Sequence, residues 1–82
     1  MRLTVRYFAA ARAASGTEHD VVEIDADATL GDLERLLAAE KPSLAPVLQR
    51  CSYLRDEVAL CDRARRLGTC EVIDVLPPFA GG

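Results

Sequence analysis

Val72-Ile73-Asp74-Val75-Leu76-Pro77-Pro78-Phe79-Ala80-Gly81-Gly82 is the stretch on which the fold turns. Residues 72–76 form a near-continuous apolar run, which predicts a strand inside a sheet and not at its edge. Pro77 and Pro78 have no N–H to give to a ladder, so the strand ends at about Leu76. Each proline also pushes the residue before it towards extended backbone. Residues 77–82 therefore leave the sheet as an arm of at most ~20 Å, at about 3.3 Å per residue. The organisation read from this is one domain over residues 1–76 and an extended arm over 77–82.

Upstream, residues 2–8 alternate. Leu3, Val5 and Tyr7 share one face, and Arg2, Thr4, Arg6 and Phe8 share the other, the period of a strand. Val21, Val22 and Ile24 suggest a second strand beyond a turn at Gly16 and Thr17, so the two read as a hairpin. The alanine- and arginine-rich connection between them has room for a short helical turn. Thr29 begins the clearest helix, with Asp32 placed to reach back to the exposed amides. Leu30, Leu33, Leu36 and Leu37 make its apolar face. Lys41 falls in its last turn and Pro42 ends it. A shorter helical piece is expected over 44–49, then short strands at 51–54 and 58–60. This order predicts an α+β domain, one helix laid across a mixed sheet.

With 82 residues, about 63% of the chain's surface is buried on folding, enough for one core but not for a deep substrate cavity. The net charge of −3 and the scarcity of aromatic residues argue against nucleic-acid binding. No apolar run approaches the ~18 residues of a membrane span, and no signal peptide is legible. The three cysteines, Cys51, Cys61 and Cys70, form no CxxC pair. They read as free, buried thiols in a reducing cytoplasm, not as a disulfide frame or metal site. Arg63, Arg65 and Arg66 read as a solvated loop, or else as a contact for an acidic partner. His19 is the only histidine, and no serine or cysteine pairs with it by spacing, so an enzyme in its own right finds no support.

The arm carries the chemistry. A Gly-Gly ending arises by chance in roughly one chain in 200, and an inert terminal stub is the plain alternative. A stub has no need of the stiff Pro-Pro-Phe that precedes it. Gly81 and Gly82, without side chains, can enter a channel too narrow for any other residue. The reactive group is the Gly82 carboxylate, ionised at neutral pH. A carboxylate is a poor electrophile until activated, most simply as an adenylate, after which a sulfur or nitrogen nucleophile can attack. The chain holds no glycine-rich phosphate motif, so no cofactor is expected on it, and ATP is used by an activating partner.

Val5-Arg6-Tyr7-Phe8-Ala9, the Gly16 turn, the Thr29-led helix and Pro77-Pro78-Phe79-Ala80-Gly81-Gly82 together resemble the ubiquitin-like sulfur carriers, most nearly the small subunit of molybdopterin synthase. The resemblance covers essentially the whole chain, and its specific part is the ending. It implies a β-grasp fold. It implies that an E1-like adenylyltransferase activates Gly82 and that a sulfur donor protein then supplies the sulfur of a thiocarboxylate. The large subunit of molybdopterin synthase, in a heterotetramer, would receive the arm, and the sulfur would pass to cyclic pyranopterin monophosphate. On this reading Gly82 bears the sulfur, Gly81 permits threading, Phe79 and Ala80 line the channel, and Pro77 and Pro78 stiffen the stalk. Phe8 and Leu76 match positions of an apolar contact surface at the base of the arm. Cys70 stands where the family commonly has a glycine in the turn before the last strand.

Two alternatives share this chemistry. One is a carrier for thiazole or cysteine synthesis, although thiazole carriers tend to be shorter and the second helical piece near Leu44 weighs against them. The other is a ubiquitin-like modifier joined through Gly82 to lysines of target proteins.

Overall fold

The computed structural model describes residues 1–78. Strand β1 (Arg2–Tyr7) leads to helix α1 (Ala9–Ser15), strand β2 (His19–Glu23) and helix α2 (Leu30–Glu40). A 3-10 turn (Pro42–Leu44) and a single-turn helix α3 (Ala45–Leu48) follow, then strands β3 (Ser52–Arg55), β4 (Val58–Leu60) and β5 (Val72–Leu76). The five strands form one mixed sheet in the order β2-β1-β5-β3-β4. β1 and β5 are parallel at its centre, and the other neighbours are antiparallel. This is the β-grasp arrangement, with the apolar run of residues 72–76 inside the sheet as its composition requires.

The alternation of β1 decides which side is covered. Leu3, Val5 and Tyr7 are buried, together with Ile73 and Val75 of β5 and Tyr53 of β3. Leu30, Leu33 and Leu37 of α2 pack on this side, and Leu36 is half-buried beside them. Each such leucine contributes about 1.5–3 kcal/mol by leaving water.

The helix begins where its capping chemistry places it. Thr29 Oγ1 accepts from the Asp32 N–H at 3.1 Å, and Asp32 Oδ2 accepts from the Thr29 N–H at 2.9 Å. These hydrogen bonds, from the Thr29 backbone first, hold the Asp32 carboxyl below its ordinary range. The Leu30 and Gly31 N–H groups donate to the carbonyls of Arg65 (3.0 Å) and Arg63 (2.9 Å). The loop with the basic cluster thus satisfies the first amides of α2 through its backbone.

Several expectations change in detail. The connection after β1 holds a full helix, α1, closed by Gly16 at φ 78 in the left-handed region that glycine enters freely. Lys41 lies just past α2 and not in its last turn, and its ammonium reaches Asp20 on β2. Cys51 and Cys70 are buried as expected, but Cys61 is exposed, because it follows the short edge strand β4 into the loop. Arg63 is not merely solvated: its guanidinium donates to both oxygens of Glu34 at 2.8 and 3.0 Å. Cys70 does not take a left-handed conformation. Gly68 does so two residues earlier, at φ 66, which leaves Cys70 free to pack in the core.

Candidate functional site

The sheet face away from the helices begins with the other half of the β1 alternation. Register places Arg6 beside Asp74 on β5, and Asp74 beside Leu54 on β3. Arg6 Nε donates to Asp74 Oδ1 at 2.6 Å and Nη2 to Oδ2 at 2.8 Å. Asp74 is only 4% exposed, whereas the Arg6 side chain is 46% exposed. A buried carboxylate without such a two-point partner would be costly, so the pair is what admits Asp74 to the central strand.

Phe8 continues the same face. Its N–H donates to the Val75 carbonyl at 3.2 Å, its ring is 40% exposed, and the Arg6 guanidinium carbon lies 5.8 Å from the ring centroid. Leu76, the last residue of β5, is half-buried, as is Pro77, and Pro78 is exposed. The chain therefore leaves the sheet at its central strand, with apolar surface from the exposed Phe8 just after β1 and the half-buried Leu76 at the end of β5. Of the expected site residues, Phe8, Leu76, Pro77 and Pro78 are placed this way. Phe79, Ala80, Gly81 and Gly82 lie outside the described residues.

The remaining candidates carry no site. His19 is exposed at the start of β2. Burial pushes the thiols of Cys51 and Cys70 up, which keeps them protonated and inert. Among the described residues no group of three or more His, Cys, Asp or Glu side chains could hold a metal ion. An open depression of about 740 Å³ runs between α2, α3 and the 63–64 loop. Its carboxylates are already taken: Asp32 by the helix cap and Arg35, Glu34 by Arg63 and Tyr53. No helix among the described residues is long and apolar enough to cross a membrane.

Sequence reasoning missed the polar networks. Tyr53 Oη donates to Glu34 Oε2 at 2.6 Å and to the Leu48 carbonyl at 3.1 Å, joining β3, α2 and α3. Burial first, then Glu34, raises its pKa beyond reach of ordinary conditions. On the other flank, Tyr7 Oη (2.9 Å) and Lys41 Nζ (2.8 Å) both donate to Asp20 Oδ2. The legible signal for the central pair was Asp74 itself, one charge inside an apolar strand, at a parity that an arginine of β1 could meet.

Comparison with known proteins bears on this surface and its arm. Small archaeal modifier protein 3 from Haloferax volcanii is 34% identical over 92 aligned positions, spanning all of both chains. The crystal structure of SAMP1 from Haloferax volcanii superposes over the full length of both chains with a TM-score of 0.84 at 23% identity, a likeness of fold. A chain in the complex of subunits 1 and 2 of the molybdopterin-converting factor from Helicobacter pylori superposes with a TM-score of 0.70 at 26% identity, also over all of both chains. The ThiS family model matches residues 5–82, from the core of β1 to the last glycine. With the β-grasp sheet and the Pro-Pro-led exit from its central strand, this match makes the chain a member of the ThiS family, the ubiquitin-like sulfur carriers.

Proposed function

We propose that this chain is the sulfur-carrying small subunit of a molybdopterin synthase. An E1-like enzyme adenylates the Gly82 carboxylate with ATP, releasing pyrophosphate; sulfide-level sulfur from a sulfur donor protein then attacks the acyl carbon, and AMP leaves as the thiocarboxylate forms. The arm then enters the large subunit, and the sulfur passes to cyclic pyranopterin monophosphate. Gly82 is the reacting residue. Gly81 lets the end thread, Phe79 and Ala80 line the channel, and Pro77 and Pro78 keep the arm extended. The chain binds no cofactor of its own, works in the cytoplasm, and assembles with the large subunit as a heterotetramer.

One observation carries this reading: the arm starts from the central strand beside Phe8 and Leu76, so a partner that grips this apolar face also receives the arm. The likeness to a chain in the Helicobacter pylori subunit 1–subunit 2 complex supports such a partner. The likeness to small archaeal modifier protein 3 favours a second reading, in which a lysine of a target protein replaces sulfur as the nucleophile at the same activated Gly82.

The two separate in reconstitution. Purified chain bearing a Gly82 thiocarboxylate is mixed with molybdopterin synthase large subunit and cyclic pyranopterin monophosphate. Molybdopterin should form, and Phe8→Glu should slow its formation. No product, together with Gly82 isopeptides on cellular proteins, would replace the carrier reading with the modifier reading.

A further inference from the structure

We infer that the fold withholds Lys41, the only lysine of the chain, from acyl transfer, so that an activated Gly82 does not form an isopeptide with a side chain of the chain that bears it. The inference rests on the activation of Gly82 proposed above and adds a specificity to it.

The chain has ten lysines and arginines together, and Lys41 is the single lysine among them. Arginine stays protonated at any ordinary pH and accepts no acyl group. Lys41 is therefore the one side-chain amine that could form a stable amide. For that reaction its ammonium must first lose a proton. Nζ then attacks the acyl carbon of the Gly82 adenylate. The C–N bond forms as the acyl–phosphate bond breaks, and AMP and a further proton leave.

The structure holds Nζ in a contact that must break before it can attack. Lys41 Nζ donates to Asp20 Oδ2 at 2.8 Å, and the Lys41 side chain is 29% exposed. Tyr7 Oη, in a side chain buried in the core, donates to the same oxygen at 2.9 Å. The Tyr7 ring centroid lies 5.9 Å from Nζ, so its π face adds to the hold on the cation. Asp20 and Tyr7 stand on neighbouring strands, which fixes the acceptor rigidly. Burial pushes the Asp20 carboxyl up, but the hydrogen bonds from Lys41 and Tyr7 outweigh it and keep the group ionised. A free Nζ thus requires breaking a charge-assisted contact in a half-buried setting.

The test needs no activating enzyme. The chain carrying Arg50→Lys, a change at an exposed position, provides an internal reference amine. It is treated briefly with sulfo-N-hydroxysuccinimidyl acetate, and acetylation at each lysine is read by peptide mass spectrometry. Lys41 should acetylate about tenfold more slowly than the introduced lysine. Adding Asp20→Asn should close most of that gap, and Tyr7→Phe, which keeps the ring, part of it. Equal rates in the chain with Asp20 and Tyr7 intact would overturn the inference, whether or not the Asp20 variant folds. Such a result would leave sulfur carriage untouched, because that reading is tested by the thiocarboxylate and not by this amine.

Discussion

Arg6 and Asp74 face each other across the two parallel central strands and share a two-point ion pair at 2.6 and 2.8 Å on the sheet face away from the helices. The pair places a charged centre in a surface otherwise set by Phe8, Leu76 and Leu54. Removing one member strands the other. Arg6→Ala should destabilise the fold, because it leaves the buried Asp74 carboxylate without its two-point partner, an effect moderated by the water that reaches the half-exposed arginine side. Replacing both, Arg6→Met with Asp74→Leu, should cost less than Arg6→Ala alone, since a matched apolar pair removes the desolvated charge. Urea denaturation of the variants measures this, and a double variant weaker than the single one would contradict it.

Leu67 is wholly buried in the loop before β5, and its N–H donates to the Ala28 carbonyl at 2.8 Å. Leu67→Ala should lower stability by about 2–5 kcal/mol through the cavity it leaves. Hydrogen exchange should then quicken first at the Leu30 and Gly31 amides, which this loop caps.

The capping box makes a smaller, pH-linked contribution. Thr29→Ala should cost about 1 kcal/mol at neutral pH. The carboxyls of Asp32 and Asp20 are both held below their ordinary range in the folded chain. A depressed carboxylate gives stability that is complete above the unfolded value of about 4 and is lost as pH falls towards the folded value. Urea midpoints should therefore be flat from about pH 7 to about pH 5 and fall below that. The combined Asp20→Asn and Asp32→Asn variant should show a shallower acid slope.

The thiols should separate by position. Cys61 is exposed, while Cys51 and Cys70 are buried. Under native conditions iodoacetamide should modify Cys61 first, and the other two only after denaturant opens the core. Rapid native labelling of Cys70 would mean that the turn before β5 is not packed as described.

Much of this was legible in the sequence where one local rule acted alone. The alternation of residues 2–8 gave the buried face of β1, the Thr29–Asp32 spacing gave the start of α2, and Pro77 marked the end of β5. What stayed hidden depended on residues far apart in sequence. Nothing near Lys41 announces that Asp20, 21 residues away, will hold it. Arg63 looked like part of a charge cluster because its partner Glu34 lies 29 residues upstream. Cys70 stands where the family commonly has a glycine, and the chain takes its left-handed turn before β5 at Gly68 instead, where no side chain resists the conformation. Phe8 and Leu76 were set at the base of the arm only by the family resemblance, and the Arg6–Asp74 pair between β1 and β5 required the parallel register to be known.

Sulfur carriage at Gly82 is the step on which the proposed function depends. Intact-mass spectrometry of the protein isolated rapidly from its own cells tests it most directly, with fragmentation to locate any change. A species heavier by the exchange of one oxygen for one sulfur is expected, with the change confined to Gly82 and absent from a chain lacking that residue. A population in which Gly82 occurs only as isopeptide to lysines of other proteins, with no thiocarboxylate under conditions that preserve an added thiocarboxylate standard, would contradict it.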